Sequence, residues 1–236
     1  AYCYIGSEKP NHDVVIVGWD DSYSKDNFNT DLEGDGAFIC QNSWGDNFGE
    51  NGFFYISYYD TNIGTHNVVY TDIENTDNYD HIYQSDLCGW VGQLGYNKDS
   101  IYGANVFTAE GNETLKAAAF YATGKDSQYE LYVVRQFEDE TSLEKMIPVA
   151  SGKLGNAGYY TVDFNQGIEV DAGVRYAVVL YIITSGSVHP MAIEYAADEA
   201  TENVDLDDGE SYISANGSKW VSVDTVEKSN LCIKAF

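Results

Sequence analysis

Short runs of Val, Ile, Tyr and Phe, broken by clusters of Gly, Asn, Asp and Ser, recur along the chain, and few carry the three-to-four-residue apolar spacing of a helix. The pattern predicts a mostly β protein. Strands are expected at 13–17, 37–41, 53–58, 67–70, 116–121, 130–136, 159–164, 175–183, 191–194, 212–214 and 231–236. The best helical signal, at 60–64, is a single turn. Over 72–86 the apolar runs give way to Asp, Glu, Asn and Ser with a few tyrosines, as in a connector between packed units. The boundary is placed there, giving domains 1–75 and 76–236. After it, strand signals alternate with turn clusters such as 124–127, 155–158, 186–187 and 216–218, as in a sandwich or jelly roll.

With 236 residues and 44% hydrophobic content, the chain can build packed cores. Its charge narrows the partners. Thirty-eight acidic against 12 basic residues give a net charge of -26, which opposes approach to nucleic acid or to an anionic membrane surface. No apolar run reaches the roughly 18 residues of a membrane span, and no charged, apolar leader opens the sequence; the native N-terminus is expected to lie upstream of Ala1. Cys3, Cys40, Cys88 and Cys232 have neither the density of a disulfide scaffold nor the short spacing of a zinc site. They are expected to be mostly buried thiols, with one bridge left open.

Two stretches carry chemistry. In NHDVVIVGWDD, His12 stands just before a Val and Ile run that reads as a buried strand. A lone histidine there is more often structural than catalytic. The second stretch, GAFICQNSWGDNFGENGFFYISYYD, changes this reading: a strand delivers Asn42 to a turn, where an amide can orient an imidazole, and Trp44 can shield that hydrogen bond from water.

In these two ordered patterns, NH-x-V-x-x-VGW and NSWG-x-x-x-G-x-x-G-[FY], the chain resembles the papain-like cysteine peptidases, the C1 family, over roughly residues 1–59. The resemblance implies the C-terminal, β-barrel-like part of a papain-type fold, with His12 and Asn42 catalytic and Trp44 in support. In such a site a cysteine thiolate attacks the peptide carbonyl, His12 takes and returns the proton, and Asn42 fixes the ring's tautomer and orientation. The family's nucleophilic cysteine and oxyanion glutamine lie in an upstream helix-start segment that this sequence does not contain. The chain alone is therefore expected to be inactive. Cys3 sits on an apparent strand without that context, Cys40 reads as packing, and Phe48 replaces a tryptophan common in the family. No cofactor or metal is implied. The loop holding Asp31, Glu33 and Asp35 reads as solvated surface, with calcium binding as the sharper alternative.

From Tyr83 onward, the segments SIYGANVFTAEGNETLKAAAFYATGKDSQYELYVV, GYYTVDF, GVRYAVVLYI, GESYISANG and NLCIKAF resemble the lectin-like β-sandwich attached to some bacterial papain-type peptidases. Carbohydrate binding is what that resemblance implies. Trp90, Tyr96, Tyr102 and Trp220 are candidate sugar platforms, although aromatic residues in strands more often pack cores. Asp205, Asp207, Asp208 and Glu210 form an acidic loop that reads as solvated surface or as a calcium candidate. The fold class is thus mainly β, a papain-type part followed by a jelly-roll or lectin-like sandwich. The expected partners are a peptide or protein substrate, the missing N-terminal half of the peptidase, and a glycan or cell-wall component. The family places the protein outside the cell or at its surface. Two other readings stay open: a binding module, and a degenerate peptidase that keeps the fold for interaction.

Overall fold

The computed structural model describes residues 1–207 and 209–236; Asp208 lies outside the described residues. The chain forms two compact units, Ala1–Thr71 and Asp72–Phe236, divided at the start of the acidic connector.

The first unit is a three-stranded antiparallel sheet in the order β1 (Val15–Asp20), β2 (Ala37–Gln41), β3 (Phe53–Ser57). Tyr2 adds a parallel bridge to Ile56. Strand β1 corrects the expectation of a buried strand starting beside His12. It starts at Val15, shifts register between Ile16 and Gly18, and leaves Val15, Val17 and Trp19 exposed. It is an edge strand whose apolar side chains meet no partner layer within the unit. The strand expected at 67–70 is absent for a related reason: Val68, Val69 and Tyr70 are strand formers, but no pairing takes up their backbone and they stay in solvent. At 60–64 a turn replaces the helical signal, because the Asp60 carboxylate accepts the N–H groups of Asn62 and Ile63.

The second unit contains β4 (Gly92–Leu94), β5 (Ser100–Thr108), β6 (Glu113–Ala122), β7 (Ser127–Val134), β8 (Ile147–Leu154), β9 (Gly158–Val170), β10 (Arg175–Ile183), β11 (Met191–Glu194), β12 (Glu210–Ser214), β13 (Val221–Ser222), β14 (Asn230–Leu231) and β15 (Ile233–Ala235). A six-stranded sheet in the order β13-β12-β5-β10-β7-β8 faces the three-stranded sheets β15-β6-β9 and β14-β11-β4 across one core. Leu131, Val178, Leu180 and Ile182 from the large sheet pack there with Leu115, Phe120, Phe164 and Met191. Ala177 and Val179 point the other way into a smaller core closed by Phe137 and Leu143. Both faces of β10 are thus largely covered, which is why its sequence is a nearly continuous apolar run.

Sequence patterning missed β4, β5, β8 and β13. Strand β5 is interrupted by Gly103 and Asn105, yet Asn105 is buried for a reason: its amide donates to the carbonyls of Leu231 and Ile233 at 2.9 and 2.8 Å and accepts from Ser211 Oγ at 2.7 Å. Strand β8 is the edge of the large sheet, which tolerates Pro148 and a polar outer face.

Candidate active site

Asn42 follows directly on β2, and its N–H donates to the Gly52 carbonyl at 3.0 Å, so the return of the chain into β3 anchors it. That return is tight. Gly49 has φ 55°, and a Cβ there would lie 2.2 Å from the Phe53 carbonyl oxygen, so only glycine fits. Asn42 is 7% exposed. Its Oδ1 accepts the Ser43 N–H at 2.8 Å, which fixes the amide with oxygen toward His12.

His12 Nε2 lies 3.0 Å from that oxygen. Because the amide oxygen can only accept, Nε2 must carry the proton, and Nδ1 of the neutral ring is left as the proton acceptor. The Trp44 ring stands 5.0 Å from the imidazole at 31° and continues into an aromatic row, edge-on to Phe48, which is edge-on to Phe54. The three residues singled out from sequence therefore meet in one place. Trp44 is nevertheless 63% exposed and His12 is exposed too, so the indole lies against one side of the imidazole and shields it from water only in part. The Ser43 N–H was not foreseeable, since a backbone donor leaves no mark in the sequence.

Neither thiol of this unit resembles a nucleophile. Cys40 is fully buried on β2, opposite Phe54, and burial with the nearby Asp60 charge pushes its thiol up to about 11. Cys3 is half-buried, and its thiol is raised by burial and by Asp60 against a lowering contact with Ser57. Both stay protonated near neutrality, whereas a nucleophilic cysteine needs its thiolate favoured. All four cysteines are free; only Cys40 and Cys232 are buried, while Cys3 is half-buried and Cys88 exposed, so the expectation of mostly buried thiols holds for two of the four.

Among the described residues the calcium alternatives find no support in geometry; Asp208 of the second candidate lies outside them. Asp35 Oδ1 accepts the Lys25 N–H, Asp207 pairs with Lys228 at 2.8 Å, and Glu210 pairs with Arg175. Among the described residues no group of three or more His, Cys, Asp and Glu side chains is placed to hold a metal ion. A depression of about 740 Å³ over the loop from Lys25 to Leu32 includes none of His12, Asn42 and Trp44.

The sandwich holds a buried polar group that sequence reading did not find. Lys234 Nζ is 2.8 Å from Asp86 Oδ1 and donates to Gln84 Oε1 at 2.8 Å. Fully buried Glu194 accepts the Cys88 N–H and the Asn230 amide. Burial holds the Asp86 carboxyl above its usual range, against the lowering contact with Lys234. The available signal was a charged residue inside an otherwise apolar strand, in NLCIKAF and MAIE.

Comparison with known proteins divides the chain similarly. Residues 2–73 match the papain family cysteine protease model and residues 82–236 match the lectin like domain model. Among solved structures, the chain is similar to the clostridial cysteine protease Cwp84 after propeptide cleavage, with 29% identity and TM-score 0.77, covering 95% of this chain and 57% of that one. It is also similar to the cysteine protease and lectin-like domains of Cwp84, described as a surface layer associated protein of Clostridium difficile, with 26% identity and TM-score 0.72, covering 95% of this chain and 51% of that one. The chain thus spans little more than half the length of these structures. Comparison with curated proteins gives no match. Among the described residues no helix is long and apolar enough to cross a membrane.

Proposed function

The chain belongs to the lectin-like domain family and carries part of a papain-family peptidase domain, and we propose that it is the histidine and asparagine portion of a cysteine endopeptidase acting outside the cell or at its surface. The domain boundary is put at 75/76, between the two matched stretches. The observation that carries the reading is the His12 to Asn42 hydrogen bond of 3.0 Å beside Trp44. With Nε2–H donated to Asn42, Nδ1 is the atom that takes the thiol proton and returns it to the leaving amine. The thiolate and the oxyanion donor come from upstream peptidase sequence, and the substrate is a peptide or protein. The imidazolium formed by proton transfer keeps its hydrogen bond to Asn42, whose amide is held in place by Ser43.

The test uses the protein extended to include the upstream peptidase part, treated with a thiol-reactive peptidyl inhibitor. Labelling at an upstream cysteine that disappears in His12→Ala supports the reading. A complete peptidase part that neither labels nor cleaves overturns it in favour of a degenerate, interacting homologue. For the sandwich we propose a second function, binding of a glycan or cell-wall component. Its support is the family to which residues 82–236 belong and the half-exposed aromatic rings on the outer face of the large sheet.

A further inference from the structure

The register of the large sheet sets Ser214, Tyr102, Tyr181, Glu130 and Ser151 side by side in one row across β12, β5, β10, β7 and β8. Tyr102 and Tyr181 stack, with ring centroids 4.2 Å apart and planes 20° from parallel. The Trp220 ring and Gly217 back Tyr102 from the far side. One face of Tyr181 is therefore taken. Beyond Tyr181, on the side away from Tyr102, lies a shallow depression of about 270 Å³ floored by β7 and β8. Gln128, Glu130, Ser151 and Lys153 give it donors and acceptors, and Tyr181 forms its aromatic wall. Glu130 is held from alongside, since the Tyr132 hydroxyl, two residues on along β7 and on the same face, donates to its Oε2 and leaves Oε1 to accept from a ligand.

From this arrangement we propose that the depression beside Tyr181 is a carbohydrate subsite for an uncharged pyranoside. This rests on the glycan-binding reading of the sandwich and assigns it a place. A flat ring beside a shallow, polar floor suits a ligand with one apolar C–H face and a rim of hydroxyls. Charge selects among sugars. A carboxylate in the floor and a net charge of -26 oppose polyanionic glycans, while Lys153 and Gln128 supply donors to neutral hydroxyl or acetamido oxygens. The closed backing of Tyr102 and Trp220 keeps the Tyr181 ring in a fixed plane, so little order has to be imposed when a sugar stacks on it.

The experiment is titration calorimetry of the full chain with a panel of neutral tetrasaccharides: cellotetraose, mannotetraose, β-1,4-galactotetraose and the tetramer of N-acetylglucosamine. At least one is expected to bind. Tyr181→Ala should weaken that binding by about tenfold or more, Glu130→Gln should weaken it severalfold, and Tyr181→Phe should keep most of it. Tyr159→Ala, which removes an exposed ring from β9, should change nothing. If a tetrasaccharide binds but Tyr181→Ala and Glu130→Gln leave its affinity intact, the assigned subsite is wrong and the glycan reading stands. If none of the panel binds, the subsite for an uncharged pyranoside is overturned. Circular dichroism of each variant separates a lost site from a lost fold.

Discussion

Strand β1 of the first unit leaves Val15, Val17 and Trp19 in solvent, whereas strand β10 of the sandwich loses nearly every side chain to one of two cores. Of the described residues in the first unit, only Phe28, Ala37, Cys40 and Ile56 are buried apolar side chains. Asn42 is held by a turn and backbone anchors and His12 by its bond to Asn42, while the sandwich is held by area removed from water. Within this chain, Asn42 and His12 are brought together by local hydrogen bonds in a unit with few buried apolar side chains. Substitutions should then act on chemistry in the first unit and on stability in the second.

The largest expected effect tests the chemical half of that contrast. In protein extended to the full peptidase part, His12→Ala should lower kcat/KM by about a thousandfold or more, while moving the melting temperature of the sandwich by no measurable amount. A loss of sandwich stability in the same variant would collapse the distinction between the units.

In the sandwich the corresponding break is Lys234→Met. Removing the cation leaves the Asp86 carboxylate buried without its partner, and loss of one member of such a pair costs about 3–5 kcal/mol. Burial already raises the Asp86 carboxyl, so the variant can relieve the penalty by protonating it. The deficit measured by urea unfolding should accordingly shrink toward pH 4. An equal deficit at all pH values would mean that the lost contacts are packing and not charge.

How far the sequence carried this contrast depends on the type of signal. His12, Asn42 and Trp44 were readable because ordered motifs hold them close to a glycine-dictated turn. The exposure of β1 was not, since a Val and Ile run has the same pattern whether or not another layer covers it. Strand β10 was legible over its full length because burial on both faces leaves no polar interruption. Strand β5 was lost to a buried asparagine, whose partners come from β12, β14 and β15, far along the chain. The pairing of Lys234 with Asp86 was hidden for the same reason.

A smaller effect appears on the alkaline side. Burial raises the Cys232 thiol and the Tyr176 hydroxyl of the sandwich core far above their ordinary values. The unfolded chain gives up these protons first, near pH 8.5 for a thiol and 10 for a phenol. Stability from them is therefore complete below those values and falls as pH rises, by up to about 1.4 kcal/mol per pH unit per group. Urea titrations from pH 8 to 10 should show this decline in the sandwich, and Cys232→Ala should flatten its earlier part. A flat profile in the parent protein would mean that the thiol is not sealed from water.

The smallest effect sharpens the comparison most. Trp44 is a large aromatic, and a buried residue of that size would cost about 3–5 kcal/mol on truncation to alanine. At 63% exposure in this chain it should cost only a fraction of that. Its ring lies against one side of the exposed imidazole at 5.0 Å, so its removal opens the His12 to Asn42 bond further to water. A neutral bond of that kind contributes about 1 kcal/mol, and wetting it forfeits part of that. Trp44→Ala should thus lower kcat severalfold with KM and melting temperature nearly unchanged, and Trp44→Phe should recover much of the loss. If the melting temperature falls while kcat holds, Trp44 is packing after all, and the first unit is built on the same principle as the second.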